Sequence, residues 1–214
     1  AWLAAEAYAA TGQWMESLRA AENWRNRALG RAEGADLLIA EAQIRLGESA
    51  QALETLRPYV DSPGEAGPDG YSPALVQQAR ALISAGQPAE AAALLLPRMT
   101  PSADTDDARK AATQWRMAWV RLAASEIKDE TTATEWLLQV TPRIPDAELG
   151  ERLMLASGWY ALANRNAARD NTSLQSARAT LQTLADSPGA DAKLFFDLAV
   201  VADRNKAPVP VRDC

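Results

Sequence analysis

Residues 40–56 read AEAQIRLGESAQALETL. Two alanine-rich runs flank a single glycine. Ala40 and Ile44 before it, and Ala52 and Leu56 after it, have the spacing of one helix face. Gly47 is the break, because glycine takes the left-handed backbone at a helix C-terminus without steric cost. The same arrangement stands at Thr11-Gly12-Gln13 and at Ala85-Gly86-Gln87, and a small residue follows each turn: Ser17, Ala52 and Ala91. The three glycines are 35 and then 39 residues apart. A turn glycine recurring at that interval predicts a helical-repeat array, in which each unit packs only on its neighbours.

Working outward from these turns, the apolar periodicity predicts helices over 1–10, 13–28, 32–46, 49–60, 73–85 and 88–97, then 104–126, 131–141, 146–164, 173–186 and 191–204. Pro88 suits a first helical turn, where its missing N–H is no loss. Asp104, Asp106 and Asp107 suit the positive end of a helix dipole. Residues 61–70 form the clearest loop, and its Asp61-Ser-Pro-Gly64 recurs as Asp186-Ser-Pro-Gly189. No segment alternates with period two, so no sheet is expected. The expected architecture is all-α: about five helix pairs, with units at 1–30, 31–70, 71–103, 104–145 and 146–190. A terminal helix at 191–206 and an extended tail at 207–214 complete it.

Composition narrows the function classes. The net charge of −6 speaks against nucleic acid as the main partner, since phosphate binding needs a basic footprint. No apolar run is long enough to predict a membrane-spanning helix, and no signal peptide is apparent. There is no histidine, and the one cysteine is Cys214, which removes most catalytic and zinc constellations and any internal disulfide. Only Lys110, Lys128, Lys193 and Lys206 are lysines among 22 basic residues. Arginine over lysine, with abundant alanine, points to a high-GC bacterial source. The chain opens on Ala1-Trp2 inside a helical pattern and without an initiator Met, so a fragment or a processed chain is expected.

The first pair resembles a tetratricopeptide repeat (TPR), a family with a roughly 34-residue pattern of small and aromatic positions around a turn glycine. Ala5, Tyr8 and Gly12 match its first helix, helix A, while Trp14 and Ser17 match its second, helix B. In the second unit Ala40, Gly47, Ala52 and Leu56 match, with Gln43 in place of the aromatic. In the third, Ala79, Leu82, Gly86, Ala91 and Leu95 match. The fourth has no glycine in Ser125–Glu130, although Ala133, Leu137, Val140 and Pro145 still resemble a helix B. The fifth offers Ala156 and Trp159 but a longer connection at 164–172. The resemblance implies a right-handed α-solenoid whose A helices line a concave groove that holds a peptide or protein segment.

The helix A register then nominates Glu6, Glu41, Arg45, Arg80 and Arg116 as groove-facing charges. Converging arginines would hold a carboxylate by bidentate pairs. Trp14, Trp24 and Trp159 fall at packing seams, with Tyr8 and Leu82 as further seam fillers. Trp2, Trp115, Trp119 and Trp136 are not fixed by register, and Trp115 and Trp119 are the candidates to line the groove as anchors. The remaining acidic residues are expected on solvent faces. Gly64, Gly67 and Gly70 follow no strand and are interrupted by Pro68, so they read as an inter-repeat loop. Asp104-x-Asp106 lacks the glycine and glutamate of a calcium loop, with Arg109 and Trp115 in their places, and reads as a helix cap. Asn171-Thr172-Ser173 is a formal glycosylation sequon and equally a cap.

No catalytic residue, metal or cofactor is therefore expected. The leading expectation is a non-catalytic interaction scaffold with a protein or peptide partner, from the cytoplasm or the periplasm. A spacer or assembly scaffold that self-associates through its array ends is the second reading. A regulatory arm of a larger enzyme or sensor is the third.

Overall fold

A computed structural model of the chain describes residues 2–28, 32–61, 70–145, 148–165 and 172–186. The described residues are helical, with no strand among them. Ten α-helices run α1 (Trp2–Ala10), α2 (Trp14–Arg27), α3 (Glu33–Arg45), α4 (Ser49–Asp61), α5 (Pro73–Ser84), α6 (Pro88–Leu95), α7 (Asp106–Ser125), α8 (Glu130–Val140), α9 (Leu149–Arg165) and α10 (Thr172–Ala185). Each lies within a few residues of its predicted span. The expected terminal helix at 191–206, the tail at 207–214, most of the 61–70 loop and Asn171 lie outside the described residues. No described helix is long and apolar enough to cross a membrane.

The chain divides into two compact units, Ala1–Arg98 and Met99–Cys214. The first holds α1 to α6, and the three glycine turns join its pairs. Gly12, Gly47 and Gly86 have φ of 73°, 84° and 80°. Their hydrogen bonds are the same three times over. Gly12 N–H donates to Ala9 O and Gln13 N–H to Tyr8 O, at 3.0 and 2.9 Å. Gly47 and Glu48 donate to Ile44 O and Gln43 O, and Gly86 and Gln87 to Ile83 O and Leu82 O. This pair of bonds is the Schellman arrangement, which satisfies carbonyls that a helix end otherwise leaves open. The next helix starts at once, so the chain reverses in three residues.

Small residues let the reversed helices approach. Ala5 and Ala21 are fully buried with Ile39, and Leu18 and Leu38 pack against them, joining α1, α2 and α3. The hydroxyl of Ser17 on α2 donates to Ala5 O on α1 at 2.9 Å, so the polar small residue is satisfied where it is buried. Ala40, Ala52, Leu56, Tyr59, Ala74 and Ala81 form the next cluster, joining α3, α4 and α5. Tyr59 is buried by its ring, and its hydroxyl donates to Asp36 at 2.5 Å. Tyr8 departs from its expected seam position. It is 38% exposed, whereas Leu82 and Trp159 are buried as expected.

In the second unit α7 packs on α8 and α9, and α9 on α8 and α10. Its helix starts carry side-chain caps: Thr105 accepts from Ala108 N–H, and Asp129 from Thr132 N–H at 2.8 Å. The α7–α8 connection has no left-handed glycine. Buried Ile127 anchors it, donating its N–H to Leu122 O at 3.2 Å. Two B-type helices end alike in a feature the periodicity does not announce. Pro97-Arg98-Met99 and Pro142-Arg143-Ile144 follow α6 and α8 as 3-10 turns. Arg98 donates back to Leu94 O and Arg143 to Gln139 O, each four residues earlier. Met99 and Ile144 are then buried.

Two substitutions of glycine by alanine are expected to differ in sign. At Gly47 a Cβ meets nothing within 4 Å, but the backbone is left-handed. Gly47→Ala should cost roughly 1–2 kcal/mol of unfolding free energy. Gly150→Ala, on α9 with equal space and no such backbone, should be neutral or stabilising by at most about 1 kcal/mol. Urea denaturation checks both.

The Asp129 cap predicts a pH dependence. Hydrogen bonds from the Thr132 hydroxyl and then its N–H hold the Asp129 carboxyl below its ordinary value. A depressed carboxyl stabilises the fold above its unfolded pKa and loses that contribution as pH falls through the folded one. Asp129→Ala should lower the melting temperature at neutral pH, and the gap to wild type should close in acid.

Candidate functional site

The register row that nominates groove charges can be followed helix by helix. Glu6, Glu41 and Arg80 occupy equivalent positions on α1, α3 and α5. Glu6 is exposed. Glu41 and Arg80 are half-buried and meet across the two helices, with Arg80 Nη1 donating to Glu41 Oε1 at 3.3 Å and to Gln77 Oε1 at 3.3 Å. Arg45, at the end of α3, is exposed and stands over the Trp14 ring at 5.8 Å from its centroid. At that distance the pair is a cation–π contact. The structure therefore brings Glu41, Arg80 and Gln77 together and pairs Arg45 with Trp14, while Glu6 stands apart.

Arg116 lies near the middle of α7, four residues before Val120, the position that the turn hydrogen bonds align with Glu41 and Arg80, and it is not a surface charge. It is 4% exposed and forms a two-pronged ion pair with Glu151 on α9. Its Nε donates to Glu151 Oε2 at 2.5 Å and its Nη2 to Oε1 at 2.7 Å. Nη1 donates to Met99 O at 2.9 Å, which fixes the inter-repeat turn before α7. Thr113 completes the network, donating to Glu151 Oε1 at 2.8 Å and accepting from Arg116 Nη2 at 3.2 Å. Each charge is matched in the interior, which is the condition for tolerating it there. The expectation that Arg116 faces a groove is thus corrected: Glu151 covers it. The expectation that the acidic residues lie on solvent faces fails at Glu151 for the same reason.

Trp115 and Trp119 are corrected as groove anchors too. They are 1% and 0% exposed. Trp119 stacks on Trp136 with centroids 3.9 Å apart and planes 21° apart, and its indole N–H donates to Trp136 O at 2.7 Å. The Trp119 and Trp136 rings fill the α7–α8 seam, where their area contributes more by burial than it would at a surface.

A cleft of about 330 Å³ lies beside the ion pair. Met99, Pro101, Pro142 and Pro145 give it apolar walls, and Arg109, Thr113, Arg143 and Glu148 line it with Arg116. Arg109 is engaged by Asp104 and by Asp106 at 2.6 Å, and these two carboxylates raise its pKa, the Asp106 hydrogen bond most. The cleft is thus walled by two proline turns and rimmed by arginines already committed to internal partners. No group of three or more acidic or cysteine side chains among the described residues is placed to hold a metal.

Sequence reasoning missed Glu151, although a signal existed. It shares one helix stripe with Leu155, Gly158 and Leu162, all buried. A carboxylate inside an apolar stripe asks for a buried cation, and Arg116 sits likewise in line with Ala112, Trp119 and Ala123. Comparison of the chain with family models, with curated proteins and with solved structures gives no match.

Removing one partner of the buried pair should be costly. Glu151→Ala is expected to destabilise by about 3–5 kcal/mol, because Arg116 is left charged in the interior. The double change Arg116→Met with Glu151→Leu should recover most of that loss in the same urea titration.

Proposed function

We propose that this chain is a non-catalytic protein-interaction scaffold, a TPR-like right-handed solenoid that holds a peptide or protein segment along the face formed by its A helices. One observation carries the reading. Three turns with identical hydrogen bonding recur at near-constant interval, and in the first unit α1 packs on α3 and α3 on α5, whereas α2 and α4, or α4 and α6, make no comparable contact. Helices that converge on one side and splay on the other curve the stack toward the converging side. The A helices then lie on the concave face, which in repeat arrays is the binding surface. The second unit has the same asymmetry, with α7 on α9 and no comparable α8–α10 contact.

The polar groups on that face support segment binding rather than catalysis. Glu41, Gln77 and Arg80 form a shallow hydrogen-bonding row, and Arg45 with Trp14 offers a flat cationic and aromatic platform. Such groups orient a backbone and its side chains. In the second unit the nominated charge Arg116 is closed off by Glu151, so the first unit is the better receptor.

The test is a displayed-peptide selection on the whole chain, followed by affinity measurement. Selected peptides should lose about tenfold in affinity to Arg45→Ala or Arg80→Ala, the scale of one charged hydrogen bond. Peptides that bind both variants as tightly as wild type, or a selection that yields none, would overturn the reading.

A further inference from the structure

The cleft beside the Arg116–Glu151 pair lies within the second unit, and its charges can be sorted by what already answers them. Arg116 is neutralised by Glu151, and its remaining donors go to Met99 O and Thr113. Arg109 is answered twice, by Asp104 and by Asp106. Two lining charges remain. Arg143 donates from Nη1 to Gln139 O, a neutral carbonyl, and forms no ion pair among the described residues. Glu148 is exposed, and its carboxylate has no hydrogen bond or ion pair among them. Both charges line the one cleft, yet they do not bond to each other. The rest of the wall is apolar. Pro101, Pro142 and Pro145 stand exposed around the cleft, and proline's fixed φ gives such a wall its shape in advance.

We infer that this cleft binds a free α-amino acid with an apolar side chain. Its carboxylate would meet the Arg143 guanidinium, its ammonium the Glu148 carboxylate, and its side chain the prolines. The ligand carries both signs because the unanswered charges carry both. A simple anion would gain Arg143 but stand beside Glu148, and a simple cation would gain Glu148 but stand beside Arg143. With Nη1 on Gln139 O, Arg143 keeps Nε and Nη2, the pair of donors that a guanidinium offers to a carboxylate in two-pronged form. Arg116 and Thr113, fixed by Glu151, supply a rigid floor. The volume of about 330 Å³ is at the small end of ligand pockets, which pair apolar walls with a few placed polar groups. The site shares no side chain with the segment-binding face of the first unit, and the inference does not rest on that reading.

The probes are L-leucine, L-methionine and L-phenylalanine, titrated into the whole chain by isothermal calorimetry. At least one should bind saturably, with a Kd below about 1 mM. The N-acetyl and the amide forms of that amino acid each lack one charge, and each should bind at least about tenfold more weakly. Arg143→Gln and Glu148→Gln should each weaken the unblocked amino acid to a similar extent, with the helical dichroism of the chain unchanged. Arg57→Gln, at an exposed arginine of α4, should leave binding as it is. Saturable binding by none of the three amino acids overturns the proposal. So does equal binding of the N-acetyl form, which would make the cleft a plain anion site, or undiminished binding to the Glu148→Gln chain.

Discussion

Each time a first helix of a pair ends in residues 2–98, one glycine turns the backbone left-handed and the following N–H groups cap the carbonyls behind it. This single constraint fixes the length of the connection and the direction in which the next helix leaves. Because the reversal is the same three times, the same register positions face the same way in each pair. Ala5, Ala40 and Ala79 are buried at the crossings, and the polar row Glu6, Glu41 and Arg80 follows on another face. Packing and surface chemistry in this unit both descend from the turn.

The second unit reaches a similar helix-pair order by other means. Without a left-handed glycine between α7 and α8, the connection is held by a buried isoleucine and a capping aspartate. Large side chains replace alanine at the seam, and Gly158 makes room for them. A Cβ there would stand 2.8 Å from Val120 and 3.3 Å from Leu137. The Arg116–Glu151 pair then ties α7 to α9 and to the turn before α7. Such a pair gives registry more than stability, since matched buried charges often gain little over apolar packing.

The helices were legible because their signals are local. Glycine turns, first-turn prolines and apolar periodicity all act within a few residues, and Pro88 opens α6 as its position predicts. The side chains of the candidate site were less legible because their partners are distant in sequence. Arg116 and Arg80 are both arginines within the first helix of a pair, yet one meets Glu151 in the interior and the other Glu41 at a half-buried surface. Trp119 is a groove residue or a core residue depending on where Trp136 falls. What the α6 and α8 ends share, a proline followed by an arginine and a buried apolar residue, was present in the letters but outside the glycine-centred pattern.

The distribution of tryptophans gives the two units different optical identities. Trp2, Trp14 and Trp24 are exposed or half-buried, whereas Trp115, Trp119, Trp136 and Trp159 are all buried. Indoles in contact with water emit at longer wavelength than indoles in the interior. The Trp119–Trp136 stack also places two transition dipoles close enough to couple, which gives a far-ultraviolet dichroism couplet that vanishes when α7 and α8 part. The chain thus carries a built-in reporter for loss of packing in residues 99–186, distinct from any signal that the first unit emits.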